Sequence, residues 1–203
     1  MTQGTPEWFQ KRLGKVTASR VADVMAKIKT GEAAARANYR AQLVAERLSG
    51  QPEESFTSPA MDRGTELEPF ARAAYEAHRL VMVDQIDFVD HPSILMSGAS
   101  PDGLVGDSGL VEIKCPNTAT HIGYLTAGVA PAKYQPQMLW QMACTEREWC
   151  EFASYDPRLP PPLSLFVAKF ERDDKRIKEM ESEVKAFLDE VDEIVEKLRR
   201  MAA

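Results

Sequence analysis

Cysteine is scarce in this sequence. The three present (Cys115, Cys144 and Cys150) make an odd number and form no CxxC pair. That argues against a disulfide framework and against a thiolate zinc site. Histidine is equally scarce. His78, His91 and His121 are scattered, with no HExxH or comparable metal-ligand spacing, so each is read as a surface or partly buried side chain. No apolar run approaches the roughly 18–20 residues that a membrane span needs. The first twelve residues have no apolar stretch of the secretory kind. A protein in a reducing cytoplasm, of a bacterium or a phage-bearing cell, is the expectation. Repeats and low-complexity segments are also missing. What remains is a chain of 203 residues, 44% hydrophobic. It is long enough to bury a substantial core, too short for two large domains, and too apolar for wholesale disorder.

A net charge of −6 argues at first sight against nucleic acid. The charge is unevenly spread, however. Residues 1–50 carry nine Lys/Arg and four Asp/Glu; residues 51–170 carry eight and sixteen; residues 171–203 carry eight and eleven. A basic first quarter beside an acidic middle fits solvated faces. It fits equally a phosphate-binding wall beside a cluster of metal-binding carboxylates.

The first 80 residues read as helical. A short helix is expected from Thr17, as hydroxyl cap, to Met25. A second spans 35–48, with Ala41, Leu43, Val44 and Arg47 on one stripe and Gly50 at its end. A polar loop with Pro52, Ser55, Ser58 and Pro59 precedes a third, over 60–79, in which Pro69 must mark a start or a kink. Short β-leaning runs follow at 81–83, 86–89 and 94–96. Gly103–Val105 and Leu110–Lys114 flank Gly106-Asp-Ser-Gly109, a good hairpin turn. A helix over 132–145 with Pro136 in its first turn, strands over 149–155 and 163–170, and one long amphipathic helix complete the chain. In that last helix Ile177, Met180, Val184, Phe187, Leu188, Val191, Ile194, Val195 and Leu198 recur at three- and four-residue intervals. The layout is α/β (α+β), with helices flanking one central mixed sheet. It reads as a single domain over 1–203, with a helical basic segment at 1–50, a sheet core at 80–170 and the long helix at 171–200.

One constellation carries chemistry. Ser100-Pro-Asp-Gly103 is followed, ten residues past the aspartate, by Glu112-Ile-Lys114. Alternate side chains of a strand share a face, so Glu112 and Lys114 point one way while Val111 and Ile113 point into the core. The turn folds Asp102 back beside them. Two carboxylates and an amine then converge, as metal-assisted phosphodiester hydrolysis requires. The lysine would orient or deprotonate water, its pKa depressed if it is partly buried. A lone PD…ExK is a weak signal. Its bland counterpart is a surface turn beside a Glu–Lys pair on a solvated strand.

Six motifs in order carry a resemblance: RLGKVTASRVADV (12–24), RGTELEPFAR (63–72), SPDG (100–103), LVEIKCP (110–116), YQPQMLWQM (134–142) and YDPR (155–158). With them the chain resembles the lambda exonuclease/YqaJ-type family of viral recombination nucleases, from about Trp8 to Leu198. The resemblance implies a PD-(D/E)xK restriction-endonuclease-like core. It implies Mg²⁺-dependent 5′→3′ digestion of linear double-stranded DNA ends to 5′-mononucleotides, with two Mg²⁺ ions, or Mn²⁺ in their place. It further implies a homotrimeric ring and a phage-type single-strand annealing protein as partner.

By the same resemblance, Asp102 and Glu112 are metal ligands, joined by the Ile113 carbonyl and by Glu68. Lys114 is the catalytic lysine, and Gln137 touches the water or the scissile phosphate. Arg12, Thr17 and Ser19 match a pocket for the DNA 5′-phosphate, a sensible set because arginine binds phosphate bidentately and hydroxyls complete an anion site. Trp8 is read as core. A restriction-type endonuclease, a Cas-type iron–sulfur nuclease and a non-catalytic DNA-end-binding module are the rivals. Three cysteines fit the iron–sulfur enzyme poorly, since its cluster takes four.

Overall fold

The structure, a computed structural model, describes residues 3–53 and 58–202. Ser55, read as part of the polar loop, lies outside them.

The N-terminal segment is built from short pieces. Helix α1 (Pro6–Arg12) starts at a proline, with the Thr5 side chain accepting from the Trp8 amide at 3.3 Å. Strand β1 (Val16–Thr17) follows. A single 3₁₀ turn (Ala18–Arg20) then leads into the four-residue α2 (Val21–Val24). The expected single helix from Thr17 is thus broken up, and Thr17 makes no side-chain cap bond. It is held as strand instead, with its amide donating to the buried Tyr39 hydroxyl at 3.1 Å. Helix α3 (Ala34–Ser49) ends as expected on Gly50, at φ 67°. Its buried face is Tyr39, Leu43, Val44 and Glu46; Ala41 faces solvent.

Helix α4 (Pro59–Arg79) is capped by Ser58 and runs unbroken through Pro69. The carbonyl of Thr65, which Pro69 leaves without its helical donor, is on an exposed residue where water reaches it.

The short β-leaning runs settle differently from their apolar clusters. Strands form at β2 (Val83–Asp84), β3 (Val89–Asp90) and β4 (Ser97–Ala99), while Leu95–Met96 is a turn. Backbone pairing decides this: β4 lies parallel to β1 and antiparallel to β3 in a small sheet of order β1-β4-β3.

The hairpin of β5 (Gly103–Val105) and β6 (Gly109–Lys114) forms as read, with Gly103 opposite Val111. Helix α5 (Thr118–Ala127), capped by Asn117, was not anticipated. Helix α6 (Gln135–Thr145) carries Pro136 in its first turn. Strands β7 (Trp149–Tyr155) and β8 (Leu165–Glu171) extend the main sheet to the order β2-β5-β6-β7-β8, with β6 and β7 parallel. The 29-residue α7 (Asp174–Ala202) closes the chain and buries seven apolar side chains from Ile177 to Val195.

Two apolar clusters sandwich this sheet. On one face Leu110, Cys150 and Phe152 pack with α3, α6 and α7; on the other Val111, Ile113 and Ala153 pack with Ala71 and Tyr75 of α4. Glu112, on the first face, is therefore fully buried rather than on a solvated strand. His91 and His121 are buried as well. His121 bridges Ser154 Oγ (2.7 Å) and the Leu163 carbonyl (2.9 Å), and His91 stacks on Trp140. Trp8 is half-buried, outside the core, and its Nε1 donates to Ser100 Oγ at 2.9 Å.

Candidate active site

β6 delivers Glu112 and Lys114 to one face because they are two residues apart in a strand. The loop entering β5 delivers Asp102. Its Oδ2 accepts from the Ile113 amide at 2.7 Å, which pins the aspartate to the β6 edge. An extended residue turns its N–H and C=O to the same side. The Ile113 carbonyl thus also faces the edge where β5, beginning only at Gly103, offers no ladder partner.

Helix α6 closes over Glu112. Gln137 Nε2 donates to Glu112 Oε1 and Gln141 Nε2 to Glu112 Oε2, each at 2.6 Å. The Lys114 ammonium pairs with Glu112 Oε1 and lies 5.5 Å from the centroid of the Tyr134 ring. Lys114 keeps 28% of its side chain exposed, on the open side of the cluster, while Glu112 has none.

The electrostatics reverse one expectation. Burial alone would lower the Lys114 pKa. The Glu112 and Asp102 carboxylates outweigh it and hold the lysine above its ordinary value, so it is an ammonium at neutral pH. Asp102 is pushed well above the usual carboxylate range, first by burial, then by the charges of Glu112 and, more weakly, Glu68; Lys114 and the Ile113 amide oppose this. Beside them, burial raises the Cys115 thiol to about 11.

Glu68, on α4, shares with Asp102 a hollow of about 370 Å³. It is tied to Arg72, its neighbour one turn on, at 2.5 Å. Glu68 also lines a larger cleft of about 620 Å³ that holds Arg12, Thr17 and Ser19. The two hollows share a wall, so the anion-type residues and the carboxylates are continuous. Arg12 lies 3.9 Å over the Trp8 ring and donates from Nη1 to Ser100 Oγ at 3.3 Å. Burial lowers its pKa to about 10 against the pull of Tyr39 and Glu46, which leaves a desolvated full cation. Thr17 is buried and Ser19 exposed, their hydroxyls 3.3 Å apart.

Two residues escaped the sequence reading. Ser100, the first residue of the SPDG motif, bridges Trp8 and Arg12 two residues before Asp102. Gln141 lies one helical turn after Gln137, and that i, i+4 spacing was the available signal.

Among the described residues no group of three or more His, Cys, Asp or Glu stands ready to hold a metal ion. The donor set nevertheless fits a hard divalent cation that keeps several waters, for which one or two carboxylates suffice. Asp102 and Glu112, with the Ile113 carbonyl, supply only oxygens. The upward push on Asp102 by burial and like charge is the condition a cation relieves. Glu68 would join only by turning from Arg72.

The YqaJ-like viral recombinase domain model matches residues 7–148. Comparison with curated proteins gave no match. Among solved structures, the alkaline exonuclease LHK-Exo from Laribacter hongkongensis is 54% identical, with 98% of each chain covered and a TM-score of 0.91. LHK-Exo in complex with dAMP superposes with a TM-score of 0.92 at the same identity and coverage. A phage-related exonuclease from Haemophilus somnus 129PT, only 13% identical, shares the fold, with a TM-score of 0.73 over 91% of this chain and 96% of that one.

Proposed function

The chain belongs to the YqaJ-like viral recombinase family, and on that premise we propose that it is an exonuclease acting 5′→3′ on linear double-stranded DNA. Its products are 5′-mononucleotides and a 3′ single strand, which a phage-type annealing protein takes into recombination. The observation that carries this reading is the convergence of Asp102, Glu112 and Lys114, with Asp102 lining a hollow that shares Glu68 with the Arg12 cleft. The complex of LHK-Exo with dAMP, a deoxynucleoside monophosphate, supports the product class.

Asp102, Glu112 and the Ile113 carbonyl would hold Mg²⁺, or Mn²⁺ in its place, with Glu68 joining for a second ion. Bound there, the metal supplies charge neutralisation at phosphorus and a more acidic water. Lys114 would orient the attacking water and help to deprotonate it, since a cation on Glu112 and Asp102 would remove the carboxylate charges that otherwise hold the lysine protonated. Gln137 donates to the phosphate oxygens once it leaves Glu112. Arg12, with Ser100, Ser19 and Thr17, binds the 5′-phosphate and so sets polarity. Enclosure of the duplex by a homotrimeric ring gives processivity without tight, salt-sensitive contacts. The setting is the cytoplasm of a bacterial cell.

Linear duplexes carrying phosphate at one 5′ end, sampled over time with Mg²⁺ and with EDTA, test this. Mononucleotides should appear from the phosphorylated end and only with Mg²⁺. Cleavage of closed circular duplex would instead favour a restriction-type enzyme. End binding without cleavage would favour a non-catalytic module.

A further inference from the structure

We propose that Gln141 is a positioning residue that fixes Glu112 for a divalent cation, while Gln137 is released to the substrate. The inference rests on the nuclease reading above. Both amides bind Glu112, one oxygen each, at 2.6 Å. They differ in everything else.

Gln141 has no exposed surface and sits between the fully buried Trp140 and Met142. Its Oε1 is buried without a hydrogen-bond partner among the described residues. Such an orphaned acceptor calls for an explanation. Glu112 supplies it: turning the amide over would set Oε1 against the carboxylate Oε2, oxygen to oxygen. The carboxylate therefore dictates which way the amide points, and the unpaired carbonyl is the consequence.

Gln137 stands in the first turn of α6, beside Pro136, and is only half-buried. It shares Glu112 Oε1 with the Lys114 ammonium, which reaches the exposed side. A cation arriving at that oxygen competes with the Gln137 N–H for the same lone pairs. Gln137 has room to turn away; Gln141, locked by packing on Oε2, does not. The two glutamines thus divide the work, one holding the carboxylate and the other meeting the phosphate. Partners of this kind, standing behind a metal-binding carboxylate, change metal affinity about 10- to 100-fold when removed.

Mn²⁺ binding followed by electron paramagnetic resonance, without DNA, provides the test. Gln141→Met lacks the donor, and Gln141→Asn keeps an amide one methylene too short to reach. Both should bind Mn²⁺ about 10- to 100-fold more weakly than the parent. They should still bind phosphorylated duplex ends in EDTA. Gln137→Met should bind Mn²⁺ as the parent does and lose kcat. Should Gln141→Met fail to fold, Gln141→Asn carries the measurement. Parental Mn²⁺ affinity in the folded Gln141 variants would overturn the proposal, as would an equal loss in Gln137→Met. A parent chain that neither binds Mn²⁺ nor cleaves DNA would instead remove the nuclease reading beneath it.

Discussion

Lys114 stands between two opposing effects, burial and a pair of carboxylates, and the carboxylates win. The Lys114→Ala variant should lose about 10²–10⁴-fold in cleavage while still binding phosphorylated ends, because the Arg12 cleft is untouched; full activity would sink the assignment. Asp102 tells the converse story. Its folded pKa is raised, so the stability it lends is complete below the ordinary carboxylate range and is lost as pH rises through the raised value. Asp102→Asn does not titrate and keeps an oxygen for the Ile113 amide. Thermal melts in EDTA should show this variant gaining on the parent as pH increases from about 4 to 8. A stability difference between variant and parent that does not shift toward the variant as pH rises would contradict the argument. The ionised Asp102 carboxylate is thus a load on the fold, the kind of cost that a proposed functional group imposes on stability.

At the level of elements, the β5–β6 hairpin does most of the positioning. Gly103, directly after Asp102, is a close-approach glycine: a Cβ there would lie 2.0 Å from Val83 Cγ1. Gly103→Ala must push β2 from β5 and should destabilise by about 1–3 kcal/mol, as overpacking does. Urea unfolding checks this, and Val83→Ala added to it should restore part of the loss. The hairpin was legible because its turn residues and alternation agreed. Helix α5 was not. Its Asn117 N-cap and its Gly128 end, the latter at φ 67°, are start and stop signals. Between them lies a short, weakly patterned stretch held by His121 reaching Ser154 and Leu163, contacts made across the fold.

For the molecule as a whole, the charge asymmetry means something different from its first appearance. Much of the basic segment does not face the cleft. Arg36 and Arg40 pair with Glu32 and with Glu190 of α7, Arg47 with Asp192, and Lys27 with Glu183. These N-terminal cations fasten α7 to α3 and to the segment before it, leaving Arg12 as the desolvated cation of the cleft. Hydrogen bonds from Arg40 and Arg36 hold Glu32 down to about 2, and Glu190 is lowered chiefly by Arg36. Depressed carboxylates lend stability above their ordinary range and lose it as pH falls. The thermal midpoint should therefore drop between pH about 4.5 and 2, and Glu190→Gln should flatten that drop; these exposed pairs make it modest. If the ring forms, the solution mass should be three times the 22.7 kDa chain; a monomer by light scattering would remove the processivity argument.

The residues that local order controls were settled by sequence alone. Alternation in β6 put Glu112 and Lys114 on one face, the turn brought Asp102 back, and Gly50 ended α3, since neighbours along the chain dictate these. The six ordered motifs settled the family in the same way. Tertiary structure decided what depends on distant neighbours. Burial of Glu112 under α6 required Gln141, one turn past the glutamine the motif suggested. Charge on Lys114 depended on carboxylates from β6 and from the loop entering β5 outweighing burial. Pairing of β4 with β1 moved a strand off its apolar run, and α7 absorbed cations that composition alone had left free for DNA. Desolvation and long-range pairing set these outcomes, and neither is written into local sequence.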